Sequence, residues 1–183
     1  MSEQDDPERE ALDGATPARA EGAQPAGRQR KPAGVVGIAD LPPDGALIGL
    51  DVGTKTIGVA VSDATRLIAT PLEVIHRTKF RWDAERLIHL ASGRRVAGFV
   101  VGLPFNMDGT EGPRAQSSRA FAENLTRAAR LPCAFWDERL STVAVTRALI
   151  EADASRAKRA RIVDMMAAAY ILQGVLDRMR YRA

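Results

Sequence analysis

Two apolar runs, Ala46-Leu47-Ile48-Gly49-Leu50 and Thr56-Ile57-Gly58-Val59-Ala60-Val61-Ser62, are separated only by Asp51-Val52-Gly53-Thr54-Lys55. This is the tightest constraint that the chain places on its fold. A connection so short joins neighbouring strands through a glycine turn, and it predicts strands over 46–52 and 56–62. Asp51 then closes a buried strand. A carboxylate loses its hydration there and is costly unless it is paired or coordinated. The position suits a metal or a phosphate better than it suits packing.

The following segments extend the pattern. A third strand is expected at about 67–76, with Pro71 implying an edge or a bulge, and three strands this close form an antiparallel meander. Ala84, Leu87, Ile88 and Ala91 mark one stripe of a helix over 81–92, and Ala97–Gly102 reads as a buried strand. A polar loop, 103–114, leads to a second amphipathic helix carrying Ser118, Phe121, Ala122, Leu125, Ala128 and Ala129. A short strand, Cys133–Trp136, ends in Asp137-Glu138. Ser141 can cap a helix over 142–152, and a last helix runs from near Ile162 to about Met179. The order predicts an α/β fold: a mixed five-stranded sheet, three antiparallel strands then parallel ones, with helices on both faces.

Composition divides the 183 residues in two. Residues 1–45 hold five of the 26 basic and nine of the 23 acidic residues, which leaves 21 basic and 14 acidic for residues 46–183. The first part is rich in Ala, Gly, Pro and Gln without sustained periodicity and cannot offset ordering entropy by burial. It reads as a disordered acidic extension, with Val35 to Ile38 the only short exception. The second part reads as one cationic domain, a charge that favours polyanionic partners but also suits a merely soluble basic surface. No apolar stretch is long enough to span a membrane, and nothing resembles a signal peptide. A single cysteine, Cys133, and two histidines, His76 and His89, make no plausible zinc set. The expected location is the cytoplasm.

Three acids fall where strand ends and helix starts converge: Asp51, Glu138 and Asp164. Asp164 shares a helical stripe with Ala168, Ile171 and Val175, which puts charge on a packing face. An acid near a helix N-terminus also simply favours the helix dipole. Phosphodiester hydrolysis gives the set a purpose, because divalent ions held by carboxylates stabilise both the attacking water and the leaving oxygen. Mg²⁺, or Mn²⁺ in its place, prefers such hard oxygen ligands. Asp137 is the alternative to Glu138.

Four ordered segments then carry a resemblance. Asp51-Val52-Gly53-Thr54-Lys55-Thr56-Ile57-Gly58-Val59-Ala60, Val101-Gly102-Leu103-Pro104-Phe105-Asn106-Met107-Asp108-Gly109-Thr110-Glu111-Gly112, Asp137-Glu138-Arg139-Leu140-Ser141-Thr142, and Val163-Asp164 leading into Ala167–Gln173 resemble the YqgF/RuvX family over residues 46 to about 178. The resemblance implies a ribonuclease H-like fold similar to Holliday junction resolvases, and a nuclease that matures the 5′ end of 16S ribosomal RNA from its precursor. Asp51 matches the first catalytic acid, Glu138 the second and Asp164 the third. The extension lies outside the match.

Neighbouring residues gain candidate roles in binding substrate. Gly53, Thr54 and Lys55 can bring amides and an ammonium to a phosphate, or form only a tight turn. Arg139 can grip a phosphate or neutralise Asp137. Arg114 and Arg119 after the loop, with Arg156, Lys158, Arg159 and Arg161 before Asp164, can form a cationic rim, although a solvated helix entry also explains the second cluster. The loop 103–114 can close over substrate or serve as a plain connection. Phe135 and Trp136 read as core, and Cys133 and His89 as residues without chemistry. Branched DNA is the alternative substrate, and contact with a ribosomal subunit is compatible with the RNA reading. Monomer and homodimer both remain open. Two further readings compete: an actin-like ATPase domain, for which the second half of the nucleotide cleft is missing, and a non-catalytic nucleic-acid-binding module, which three carboxylates disfavour.

Overall fold

The computed structural model describes the backbone of residues 34–140 and 156–181, and the side chains of 34–139 and 163–181. Ser141 and the helix expected over 142–152 lie outside the described residues. The elements are β1 (Val35–Val36), β2 (Ala46–Val52), β3 (Thr56–Ser62), β4 (Ala69–His76), α1 (Phe80–Ser92), β5 (Val96–Leu103), α2 (Pro113–Ala129), β6 (Cys133–Asp137) and α3 (Arg156–Arg180).

The strands form one sheet in the order β1-β6-β5-β2-β3-β4. β2, β3 and β4 pair antiparallel, whereas β5 lies parallel to β2 and β6 parallel to β5. This is the expected ribonuclease H-like arrangement with one strand added. The added strand pairs parallel with β6 in the register Val35–Cys133 and Val36–Ala134, and Cys133 N–H donates to Gly34 O at 3.0 Å. Without it, β6 would present an open edge, which sheets usually cover or blunt. The ordered domain therefore takes in residues 34–45, on the far side of the boundary expected at 45. Leu41 is buried there, and the Arg66 guanidinium donates to Pro42 O at 2.6 Å and Gly45 O at 2.8 Å. A two-residue strand is too short to leave a periodic signal in the sequence.

Each strand's alternation sends its side chains to two different cores. Ile48, Leu50, Val52, Ile57, Val59, Phe99 and Val101 meet Ala84, Leu87 and Leu90 of α1 and Phe121, Ala122 and Leu125 of α2. Leu47, Ala60, Val100, Ala134 and Trp136 meet Ala168, Ile171, Leu172, Val175 and Leu176 of α3. β2 is buried along its whole length because helices cover both faces, which is why its sequence is almost continuously apolar. β4 is the opposite edge. Its register shifts where Ala60 faces Pro71, so Pro71 marks both an edge strand and a bulge.

α3 lies unusually close to the sheet, and glycines make the room. A Cβ on Gly49 would stand 2.7 Å from the Leu172 Cβ, and one on Gly58 would stand 1.9 Å from the Asp164 carbonyl oxygen. The helix backbone occupies the volume of the missing side chain. A Gly58→Ala chain should lose about 1–3 kcal/mol of stability or more, since a packed backbone cannot move aside as a side chain can. Thermal unfolding checks this, and an unchanged midpoint would mean that the helix is not seated on Gly58.

At the far end of the sheet, the turn between β3 and β4 is organised by Asp63. Its carboxylate accepts the N–H groups of Thr65, Leu67 and Ile68 at 2.8–2.9 Å, together with the Thr65 hydroxyl. Led by the Thr65 hydroxyl, these bonds favour the ionised form and bring its pKa down to about 2 from an ordinary 3.8. A depressed carboxylate contributes stability above its unfolded pKa and loses it as pH falls through the folded value. Asp63→Ala should therefore unfold at lower temperature than the parent at neutral pH, and the difference should shrink between about pH 4 and pH 2. Melting curves across that range check the sign.

Candidate active site

Asp51 is the penultimate residue of the central strand, and only 4% of its surface is exposed. It pairs with Gly58 of β3, so its side chain lies on the sheet face that α3 covers. On its other side it stands one residue beyond the Leu50–Val101 pair, beside Gly102 of β5. Glycines thus flank the buried acid on both neighbouring strands, and each is overlaid by a segment bearing another acid. Over Gly58 lies the Asp164 backbone. Over Gly102 lies the Glu138 carboxyl, whose Oε1 would be 2.5 Å from a Cβ placed there.

The three acids therefore come from three separate elements to one face at one end of the sheet. Asp164 is further fixed by the Thr56 hydroxyl, which donates to its Oδ2 at 2.7 Å. Glu138 opens a short 3-10 turn directly after β6, where the chain leaves the sheet. The donor chemistry, carboxylate oxygens alone, suits a hard divalent cation such as Mg²⁺ or Mn²⁺. Among the described residues no three His, Cys, Asp or Glu side chains close into a metal-holding group.

Asp137 is engaged differently. Arg139 donates Nη2 to its Oδ2 at 2.7 Å, Nε to both oxygens at 3.1 and 3.2 Å, and its backbone N–H to Oδ1 at 3.0 Å. The guanidinium holds the Asp137 pKa below the ordinary carboxylate range. Arg139 also sits 5.1 Å from the centre of the Phe105 ring, tying the loop after β5 to the acidic segment. Of the two roles open to Arg139, neutralising Asp137 is the one adopted here.

The loop after β5 is folded on itself. Phe105 bridges Glu111, Asn106 N–H donates to Thr110 O at 2.9 Å, and Asp108 accepts the N–H and hydroxyl of Thr110 at 2.9 and 2.7 Å. Arg119 pairs with Glu111 and stacks 4.7 Å from the Phe135 ring centre, so it braces the loop. Arg114 is exposed in the first turn of α2. Arg156, Lys158, Arg159 and Arg161 belong to the first turns of α3, but their side chains lie outside the described residues.

The turn between β2 and β3 is closed by Gly53 N–H donating to Thr56 O at 2.9 Å. Thr54 and Lys55 are exposed at its tip. Two residues that sequence reasoning missed support this region. Arg77 donates Nη1 to Gly53 O at 2.6 Å and its backbone N–H to Lys55 O at 2.9 Å, while its Nε lies 3.9 Å from buried Asp83. Thr56 reaches from the same turn to Asp164. The glycines inside the strands were the available signal, since a strand glycine marks close approach by another backbone.

The fold is a mixed α/β sheet, three antiparallel strands then parallel ones, that carries acids from three elements at one end. A sequence profile for RuvX, described as Holliday junction resolvase, matches residues 45–178. A protein of Cereibacter sphaeroides is 64% identical over 142 residues, 78% of this chain and 89% of its own length. Another, from Paracoccus denitrificans, is 62% identical over 141 residues, 77% of this chain and 89% of its own. Both bear the name "Putative pre-16S rRNA nuclease". Among solved structures, T. thermophilus RuvC in complex with Holliday junction substrate aligns over 74% of this chain and 96% of its own, with TM-score 0.48 and 17% identity. The chain belongs to the RuvX family. No described helix is long and apolar enough to cross a membrane.

The Thr56–Asp164 bond has a direct test. A hydrogen bond to a charged group contributes about 1.5–3 kcal/mol, so Thr56→Val should lower turnover roughly tenfold or more. Thr56→Ser, which keeps the hydroxyl, should retain most of it. Equal rates for Val and Ser would show that the bond does not matter for the reaction.

Proposed function

We propose that this chain hydrolyses phosphodiester bonds of the 16S ribosomal RNA precursor at its 5′ end, with Asp51, Glu138 and Asp164 holding Mg²⁺ or Mn²⁺. The observation that carries the reading is the sharing of one sheet face by three acids from three elements, over glycines that admit them. The names of the family and of its close relatives support the class of chemistry. The substrate is taken from the relatives' name, and the cytoplasm, where such precursors are made in bacteria, is the corresponding location.

When bound, the cation polarises a phosphate oxygen and makes water more acidic. The protein's own residues do the rest. Asp51 is the rigid member, because the central strand and both cores fix its backbone. Thr56 keeps Asp164 turned toward the sheet, and Gly102 gives Glu138 a bed beside Asp51. Three like charges gathered together repel one another, so a cation is what lets them share a site. Thr54 and Lys55 at the turn tip, and Arg114 at the start of α2, receive the nucleic-acid backbone. Lys158 and Arg159 are assigned to the same task from their place just before Asp164. Released from Asp137, Arg139 would add a further phosphate contact.

A second reading, resolution of branched DNA, is favoured by the family's description. One experiment separates the two. The purified chain is incubated with a 5′-extended 16S precursor fragment, unrelated single-stranded RNA, duplex DNA and a four-way junction, each with and without Mg²⁺. Cleavage of the precursor fragment alone, dependent on metal and lost in Asp51→Asn while RNA binding persists, is the expected result. Symmetric cutting of the junction would assign the second reading, and undiminished cutting by Asp51→Asn would remove Asp51 from the metal site.

A further inference from the structure

We propose that Trp82, at the start of α1, is a stacking platform for an unpaired base, and that with Lys55, Arg77, Lys79 and Arg81 it forms a binding surface for single-stranded nucleic acid beside the proposed cleavage centre. The proposal rests on the nuclease reading for the identity of the polymer, and on separate observations for the surface.

The chain has two tryptophans with opposite environments. Trp136 is packed against Gly174 with 6% of its surface exposed, whereas Trp82 is 55% exposed. Isolated exposed apolar side chains are common and mean little. Trp82 differs in its company. The Arg81 guanidinium lies 5.3 Å from the Trp82 ring centre, and Lys79 stands at the N-cap position three residues before Trp82. Leu67, Ile68 and Tyr181 are also exposed, but the cation beside them, Arg180, is engaged by Leu67 O and Asp177, and among the described residues no guanidinium lies over the Tyr181 ring.

The surface joins the turn that follows Asp51. Arg77, five residues before Trp82, is bonded to the carbonyls of Gly53 and Lys55, and His76 pairs in register with Thr56. β4, which leads into α1, is two strands from β2, or roughly 10 Å at ordinary strand spacing. Trp82 belongs to the α1 side of the sheet and the acids to the α3 side. A strand crossing the turn at Lys55 can therefore touch both.

The local charge favours an anion. Nearby Asp83, Glu85 and Glu73 are matched by Arg77, Arg81 and Arg86, while Lys55 and Lys79 have no ion pair among the described residues. Cationic residues interleaved with an exposed aromatic ring are the arrangement that holds single strands, since every base has a face to stack and the backbone needs positive charge. A duplex hides those faces. The surface therefore selects unpaired nucleotides flanking the cleavage position.

Intrinsic fluorescence tests this directly, because Trp136 is buried and Trp82 is not. In metal-free buffer, a single-stranded RNA oligonucleotide should quench the parent's emission, and Trp82→Ala should abolish the quench and bind about tenfold more weakly. Trp82→Phe should restore most of the affinity, and a blunt duplex of equal length should bind parent and Trp82→Ala alike. Equal single-strand affinity for parent and Trp82→Ala, or a quench that survives in Trp82→Ala, would overturn the proposal. Quenching without any cleavage once Mg²⁺ is added would remove the nuclease reading and leave the surface standing. Cleavage of RNA with Trp82 silent would do the reverse.

Discussion

The contact on which the rest of the structure depends is the seating of α3 against the central strands. Helices usually pack on sheets through a layer of side chains, but here glycine replaces that layer at Gly49 and Gly58, so the helix backbone itself touches the strands. The consequence is geometric. Asp164, near the start of the described side chains of α3, is brought down beside the strand pair that carries Asp51, and Thr56 can reach its carboxylate. With side chains at those glycines, the helix would ride higher and the acid would be lifted away. The same closeness buries Ala168, Ile171, Leu172 and Val175, so the packing that stabilises the domain also positions the charge.

Charge around that site is sorted by partner. Asp137 and Glu138 are adjacent in sequence, yet Arg139 occupies both oxygens of the first while the second lies over Gly102. One acid belongs to a structural ion pair and the other to the face shared with Asp51. Arg119, paired with Glu111 and stacked on Phe135, is likewise part of the scaffold that holds the loop after β5. Lys55 and Lys79, which have no ion pair among the described residues, sit at the sheet end where the acids converge.

Much of the architecture was legible in the chain because it follows from local periodicity. The bounds of β2 and β3 come out at 46–52 and 56–62 as the apolar runs and the glycine turn require, and Pro71 marks the edge strand and its bulge. What could not be read has specific causes. β1 is two residues long and exists only because β6 offers it an edge. The helices begin earlier than their apolar stripes suggest, α2 at Pro113 and α3 at Arg156, because the residues that open them are mostly polar and small and leave no apolar period in the sequence. The outcome for Arg139 depended on which oxygens came within its reach, and spacing along the chain leaves both partners open.

The chain alone determined the alternation of strands and helices, the antiparallel meander that opens the domain, and the three acids placed at element ends, because these depend on the side-chain period and on the cost of burying charge. Only tertiary structure decided that Asp51, Glu138 and Asp164 share one face, that the Thr56 hydroxyl reaches Asp164, and that Trp82 stays in solvent while Trp136 is buried. Those outcomes turn on how closely α3 approaches the sheet and on which face of α1 is covered. They are set by contacts between residues far apart in the chain, and no local pattern encodes them.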